Sequence, residues 1–390
     1  MNLSAIQKQL QETNLDGWLF FDHHIRDRIA YRILGLQPGH VSRRWYYWIP
    51  KKGNPRKLVH RIESGKLDTL PGDKIQYSSW QEQQQRISEL VGDAKCIAMQ
   101  YSENCMIPYI SVVDGGTIEL VRSTGVEIRS SAELVQFFEA RWSDEQYAMH
   151  LEAGSIVDRI RADAFDLIGN TIRSKGEISE IVVADFIREQ FEKNGLITAD
   201  GPIVGVNANS GDPHYVPTQQ NSATIRKDDF VLIDLWAKLN RPKAVYYDVT
   251  WTGYCGSKIP EKIQEVFDVV TGSRDAALTF LNSSIQAGKE IAGYEVDDVV
   301  RQYITERGYG EAFVHRTGHS IGEEVHGNGA NIDNLETHDT RAIIPGTCFS
   351  IEPGVYLKDF GVRSEIDCYI SDTEAKATGE VQRDIVRIIE

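Results

Sequence analysis

The second half of this 390-residue chain carries four carboxylates and one imidazole, Asp234, Asp248, Glu352, Glu365 and His319, in settings that call for a cation. Asp234 stands in the middle of Phe230-Val-Leu-Ile-Asp-Leu-Trp236, an apolar run of strand character. Asp248 stands in Val245-Tyr-Tyr-Asp-Val-Thr-Trp251, a second run of β-branched and aromatic residues. A lone carboxylate buried in either would be costly without a metal or a cationic partner. An oxygen-rich set with a single imidazole suits Mn²⁺, Fe²⁺, Co²⁺ or Zn²⁺ better than a thiolate-bound structural zinc.

The spacings predict how these side chains are brought together. Asp234 and Asp248 are 14 residues apart, enough for two neighbouring strands and a loop through Lys238 to Lys243. Glu352 and Glu365 are 13 apart, again two strands, with Pro353-Gly354 and Gly361 supplying turn chemistry. Side chains alternate along a strand, so one inward position per strand aims four acids at one point. His319 lies in Thr317-Gly-His-Ser-Ile-Gly322, where small neighbours permit close backbone approach. Two cations roughly 3.5–4 Å apart need bridging carboxylates to offset their repulsion, and four acids supply them.

Seven segments in order then carry a family resemblance. They are Asn207-Ala-Asn-Ser-Gly-Asp-Pro-His-Tyr215, the two Asp strands, Phe313-Val-His-Arg-Thr-Gly-His-Ser-Ile-Gly-Glu-Glu-Val-His326, Thr340-Arg-Ala-Ile-Ile-Pro-Gly346, Phe349-Ser-Ile-Glu-Pro-Gly-Val-Tyr356 and Gly361-Val-Arg-Ser-Glu365. The series resembles the pita-bread metallopeptidases, which include methionine aminopeptidase, aminopeptidase P, prolidase and the metal-free creatinase. It covers residues 150 to 390, and the extra N-terminal part resembles the prolidase, aminopeptidase P and creatinase branch.

The resemblance implies roles by position. Asp234 would hold one metal, Glu352 and His319 the other, and Asp248 and Glu365 both. His214 and His326 would face the substrate and donate to a scissile carbonyl as it becomes an oxyanion. Glu352 would also carry the proton. His315 and Arg363 are candidate substrate-binding residues; Arg363, two before Glu365, could pair with Glu365 or with a substrate carboxylate. Two divalent cations, manganese first and cobalt, zinc or iron next, would lower the pKa of a bound water from about 15.7 toward neutrality. Hydrolysis of Xaa-Pro bonds in short peptides, by an aminopeptidase or a dipeptidase, is the activity implied, with a homodimer whose N-terminal half helps wall the pocket. A non-peptide amide or an osmolyte on the same scaffold, and an inactive peptide-binding module, are the other readings. The chain departs from the family at Trp251 and Gly253, at Gly327-Asn-Gly-Ala-Asn331, and in a longer interval between Asp234 and Asp248. These departures are expected to bear on the pocket and so on substrate choice.

Composition narrows the classes. A net charge of −15 disfavours a nucleic-acid or anionic-membrane surface. Five scattered cysteines without a Cys-x-x-Cys pair fit reduced thiols, no apolar run approaches a membrane span, and the N-terminus lacks a signal-peptide core, which together suggest a cytoplasmic protein. Two domains are expected, 1–140 and 141–390. The first is α/β, with strands at Gly17–Asp22, Trp45–Ile49, Lys57–His60, Cys96–Met99 and Thr117–Val121 and a helix opened by Ser79 and Glu82. Arg43-Arg-Trp-Tyr-Tyr-Trp48 could pass for a nucleic-acid platform, but reads better as a packed strand. The second is α+β, a curved, largely antiparallel sheet covered by helices. Its helices lie near 143–160, 179–194, 260–282 and 295–307, its final strand at Val381–Ile389, and Gly327–Pro345 forms a long functional loop.

Overall fold

The computed structural model describes residues 1–389; Glu390, the last residue of the expected second domain, lies outside them. The chain forms two compact units, Met1–Glu139 and Ala140–Glu390.

In the first unit a six-stranded sheet runs Asp73–Tyr77, Arg56–His60, Trp45–Pro50, Gly17–Asp22, Cys96–Met99, Glu127–Ser130. All these strands are parallel except Trp45–Pro50, which is antiparallel to both neighbours. Gly17–Asp22 is buried on both faces, as its unbroken apolar run requires of a central strand. The Arg43–Trp48 segment is a packed strand, with Trp45 through Trp48 buried. Helix Leu3–Glu12 buries Ile6 and Leu10. Ser79 accepts from the Glu82 amide and Glu82 reaches back, the reciprocal cap expected there.

One expected strand is a helix. Thr117–Val121 lies within helix Gly115–Arg122, where Asp114 caps the Thr117 amide at 2.9 Å and the buried positions are 117, 118 and 121. A five-residue run is too short for its period to distinguish the two, and the Asp cap followed by two glycines decides it.

Asp16 ties this unit together ahead of its central strand. One carboxylate oxygen accepts from the Lys95 and Cys96 amides at 2.7 and 3.1 Å, the other from Lys51 Nζ at 2.8 Å. The Lys51 contact first, then these amides, lowers the Asp16 pKa to about 2. Because the folded value lies below the unfolded one, the stabilisation is complete above the ordinary Asp pKa and is lost as pH falls toward 2. Thermal melts between about pH 4 and 2 should show a flatter acid limb for Asp16→Asn than for the wild type.

The second unit joins helices to largely antiparallel sheets. Phe230–Leu239 and Tyr247–Tyr254 pair antiparallel, Ile203–Val206 and Leu196–Ile197 add to the former, and Val386–Arg387 adds parallel to the latter. Helices Asp144–Lys175 and Glu180–Lys193 pack over this sheet around Val157, Ile160, Ile187, Ile233 and Val249. Ser143 and Gln146 cap the long helix reciprocally. A second sheet runs Ser320–Ile321, Cys348–Ile351, Ile366–Ile370, Ala375–Ala377, covered by helices Glu261–Gln286 and Gly293–Glu306.

Two details differ from the sequence expectation. The interval between Glu352 and Glu365 holds a separate hairpin, Gly354–Tyr356 with Gly361–Arg363, so both acids sit where the longer strands end and the hairpin begins. The final strand pairs only at Val386–Arg387. Ahead of it Gln382 satisfies the Thr252 backbone with its side-chain amide, accepting at 3.0 Å and donating at 2.7 Å in place of a strand ladder. The Gly327–Pro345 stretch is irregular and internally held, with Asp333 accepting from the amides of Leu335, Glu336 and Thr337. Among the described residues no helix is long and apolar enough to cross a membrane.

Candidate metal centre

The register of the central hairpin fixes which side chains share a face. Asp234 lies opposite Thr250, and Trp236 opposite Asp248, so both acids and Thr250 point the same way. Trp251 and Gly253 alternate to the other face. There Arg161 stacks 3.4 Å from the Trp251 ring centre, and a Cβ on Gly253 would meet Ile388 and Phe165. These two departures therefore face the helix layer rather than the pocket, a correction to the expectation that they shape it.

His319 is delivered by close backbone approach. A Cβ at Gly318 would lie 1.8 Å from the Ser350 carbonyl, so only glycine fits. The segment is pinned from both sides: the Ser350 amide donates to the His319 carbonyl at 2.9 Å, and the Glu352 amide to the Thr317 carbonyl at 2.8 Å. Asp297 accepts from the Thr317 amide and hydroxyl at 3.0 and 2.6 Å.

Asp248, His319 and Glu365 bring ligand atoms within 4.8 Å of one another. His319 Nε2 lies 3.6 Å from Asp248 Oδ2 and 3.4 Å from Glu352 Oε1. Asp234 joins through Arg363, which it engages directly, while Arg363 Nε donates to Thr250 Oγ1 at 3.0 Å and lies 3.9 Å from Glu352 Oε2. Thr250 in turn donates to Glu365 Oε2 at 2.8 Å. Arg363 thus pairs with Asp234 rather than with Glu365.

The other predicted residues surround this group. His326 presents its ring edge-on to His319, with centroids 4.3 Å apart. His214 is exposed on the Asp212–Tyr215 turn, its amide accepted by Asp212 at 3.1 Å. His315 has both nitrogens engaged, Nδ1 with the Arg316 carbonyl at 2.6 Å and Nε2 with Tyr356 Oη at 2.7 Å. Since a carbonyl only accepts, Nδ1 carries the proton and Tyr356 donates to Nε2; Tyr356 then accepts from Arg363 at 3.0 Å. Burial, then the Arg363 charge, lowers His315 to about 3, consistent with a neutral ring.

Electrostatics set the demand for a cation. Burial, then Asp234, Asp367 and Glu352, raises Asp248 well above the usual carboxylate range. Burial, then Asp248 and Glu352, does the same to Glu365. Burial raises Asp234 against the pull of Arg363, and pushes Glu352 up to about 7. Burial, then His326, holds His319 well below its ordinary value. Arg363, with Arg316 acting on Glu352 as well, is outnumbered by the buried Asp234, Asp248 and Glu365 and the half-buried Glu352. Asp234 Oδ1 and Asp248 Oδ1 are moreover buried without any hydrogen-bond partner. His319 Nδ1 lies 3.3 Å from the Ser320 carbonyl, which leaves the Nε2 lone pair facing carboxylate oxygens. Orphaned oxygens and an unprotonated nitrogen turned on one another are what divalent cations would satisfy, so the residues fit such ions.

Several supporting residues escaped the sequence reading. Thr250 is two positions from Asp248, and alternation alone would have found it. Tyr356 closes a motif already noted. Asp367, two past Glu365, accepts from the Asp248 amide at 2.8 Å. Glu180 had no signal beyond its place at a helix start. It is fully buried and accepts from the Val206 amide at 2.7 Å, the Asn209 amide group at 2.9 Å, Tyr215 Oη at 2.6 Å and the Ala223 amide at 2.6 Å. These bonds fasten the turn that carries His214. Glu180→Ala would strand those donors, and urea unfolding should show a loss of roughly 3 kcal/mol.

Comparison with known proteins fits this geometry. Residues 148–372 match the model of metallopeptidase family M24. The chain belongs to that family. An Xaa-Pro dipeptidase of Lactobacillus delbrueckii subsp. lactis is 29% identical over 224 residues, 56% of this chain and 53% of the relative. The chain thus spans about half the length of that curated relative. Among solved structures, dipeptidase PepE from Mycobacterium ulcerans superposes with a TM-score of 0.72 at 19% identity, over 100% of this chain and 97% of that one. An Xaa-Pro dipeptidase from Bacillus anthracis gives 0.66 at 20% identity, over 100% and 99%. These likenesses establish the fold: an α/β N-terminal unit followed by the α+β pita-bread unit.

Proposed function

We propose that this chain is a dinuclear-metal peptidase that hydrolyses Xaa-Pro bonds in short peptides. The observation that carries the reading is the cluster of Asp248, His319 and Glu365 with Asp234 and Glu352 beside it, in which Asp234 Oδ1 and Asp248 Oδ1 are buried without partners. Membership of metallopeptidase family M24 and the Xaa-Pro dipeptidase relative support it.

In this reading Asp234 would help hold one cation, His319 and Glu352 the other, and Asp248 and Glu365 would contribute to both. The cations would lower the pKa of a bound water and polarise the scissile carbonyl. The chain's own groups do the rest. Thr250 keeps Glu365 oriented through its 2.8 Å hydrogen bond, and Ser350 donates to Glu352 Oε1 at 3.1 Å, fixing the carboxylate that would carry a proton to the leaving nitrogen. Arg363 aligns Asp234 and opposes the rise in its pKa that burial causes. His214 and His326 donate to the carbonyl oxygen as it gains charge. His315 acts through Tyr356 and Arg363, since both its nitrogens are already engaged. Manganese is the proposed native metal, a homodimer the proposed assembly and the cytoplasm the proposed location.

His326→Ala should leave metal content intact and reduce kcat by roughly 10²–10³, as for loss of one oxyanion donor. A change confined to KM in steady-state kinetics would reassign His326 to ground-state binding. Substrate class is tested by metal analysis together with proline release from Gly-Pro and from a longer Xaa-Pro peptide. Turnover of both lengths gives an aminopeptidase, and of the dipeptide alone a dipeptidase. Bound metal without either activity rejects the Xaa-Pro assignment in favour of a non-peptide amide.

A further inference from the structure

The first unit holds a cleft of about 480 Å³. It opens at one edge of the six-stranded sheet. Phe21 and His23 come from the carboxyl end of Gly17–Asp22, His60 from that of Arg56–His60, and Tyr77 from that of Asp73–Tyr77. Trp45–Pro50 runs the other way, and its first residue pairs with Asp22, so Arg43 and Arg44 enter at the same edge. Open α/β sheets bind ligands outside the carboxyl ends of their strands, and this cleft has that position.

Its lining is cationic in a chain of net charge −15. Arg26, Arg43 and Arg44 all line it, and among the described residues none of the three makes an ion pair. Arg43 donates only to the carbonyl and hydroxyl of its neighbour Ser42, each at 3.1 Å. The carboxylate on the wall, Asp114, is occupied by the amide and hydroxyl of Thr117 at 2.9 and 2.8 Å. Glu63 accepts from Ser42 and from the Arg43 amide, and makes no contact with the guanidinium. Burial, then His24, with Arg26 and Arg44 contributing, lowers the His23 pKa, and His23, Arg26 and Arg44 all line the cleft. Trp80, which also lines the cleft, leaves 62% of its surface in solvent, and the arginines sharing the lining have no carboxylate partner among the described residues. An apolar ring held exposed at a cationic cleft is a stacking platform rather than core.

We propose that this cleft binds a small organic anion carrying a planar ring, of the chemistry of a nucleoside monophosphate. The arginines take the anionic oxygens by charge-assisted, forked hydrogen bonds and Trp80 takes the ring. The site is built wholly from the first unit and stands independently of the metal reading.

Calorimetric titration of the full chain with adenosine monophosphate, adenosine and inorganic phosphate tests it. The monophosphate is expected to bind, more tightly than phosphate, and to weaken with added salt; adenosine alone is expected not to bind. Arg43→Ala/Arg44→Ala should weaken the monophosphate at least about tenfold, the equivalent of one lost charge-assisted contact. Trp80→Ala should bring its affinity down to that of phosphate. Arg43 and Trp80 are exposed, so thermal melts of these variants should match the wild type; if the double variant melts early, Arg26→Ala supplies the same comparison. Failure of both anions to bind, monophosphate binding unchanged in the arginine variants, or equal affinity for phosphate and monophosphate in the wild type would each overturn the proposal.

Discussion

Asp248→Asn is expected to abolish turnover and metal uptake while leaving the metal-free protein at least as stable as the wild type. Asp248 sits among Asp234, Glu365, Glu352 and Asp367, buried, with Oδ1 unpartnered. In the absence of cations its burial costs stability, because desolvation and four neighbouring acids oppose its charge. An amide of nearly the same shape removes that repulsion. It also removes a charge that would help hold the proposed cations. Metal affinity should therefore fall by more than the roughly 10–100-fold that follows loss of a residue that only orients a ligand. The two readouts move in opposite directions, which separates a ligand from a structural carboxylate. A structural Asp would lose stability on substitution and leave metal content alone. Differential scanning calorimetry with and without Mn²⁺ reads both: the metal-induced rise in Tm should vanish, and the metal-free Tm should hold or increase.

Arg363→Met should do the opposite to the metal-free protein. Arg363 is buried, contacts Asp234 directly, and donates to Thr250 and Tyr356 at 3.0 Å each. It is the one cationic side chain in contact with Asp234 among the ion pairs of the described residues. Removing one partner of a buried ion pair typically costs about 3–5 kcal/mol, because the remaining charge is left uncompensated. Methionine keeps much of the stem's volume, so the loss reports charge and hydrogen bonding rather than a void. Urea unfolding of the metal-free variant should show that destabilisation, and added divalent cation should recover part of it by neutralising Asp234. Lysine at 363 should rescue poorly, since an ammonium cannot reach Asp234, Thr250 and Tyr356 in the guanidinium's fork. Equal stability of wild type and variant would mean that Asp234 is protonated and the pair carries no charge.

Much of this centre is legible in the sequence. Two Asp residues in apolar runs 14 apart imply neighbouring strands, and alternation along them implies a common face. The register Asp234–Thr250 and Trp236–Asp248 is that inference in structural form. The glycine beside His319 signalled close approach, and Gly318 has no room for a methyl against Ser350. What stayed hidden depends on contacts between distant segments. The partner of Arg363 is 129 positions away, so local spacing pointed to Glu365 instead. The Arg363–Tyr356–His315 chain needs the hairpin between Glu352 and Glu365, which a simple two-strand turn did not suggest. Trp251 and Gly253 differ in parity from Asp248 and so lie on the other face, away from the pocket. Thr117–Val121 failed for want of length, and Val381–Ile389 because Gln382 replaces backbone pairing with its side chain.

Five residues spread between 234 and 365 are proposed to hold a pair of cations. Titrating the metal-stripped chain with Mn²⁺ and counting bound ions, for the wild type and for Asp248→Asn, tests it most directly. Two ions per wild-type chain, and loss of them in the variant, is the predicted result. A wild-type chain that remains empty at saturating Mn²⁺, or a variant that binds as the wild type does, would contradict it.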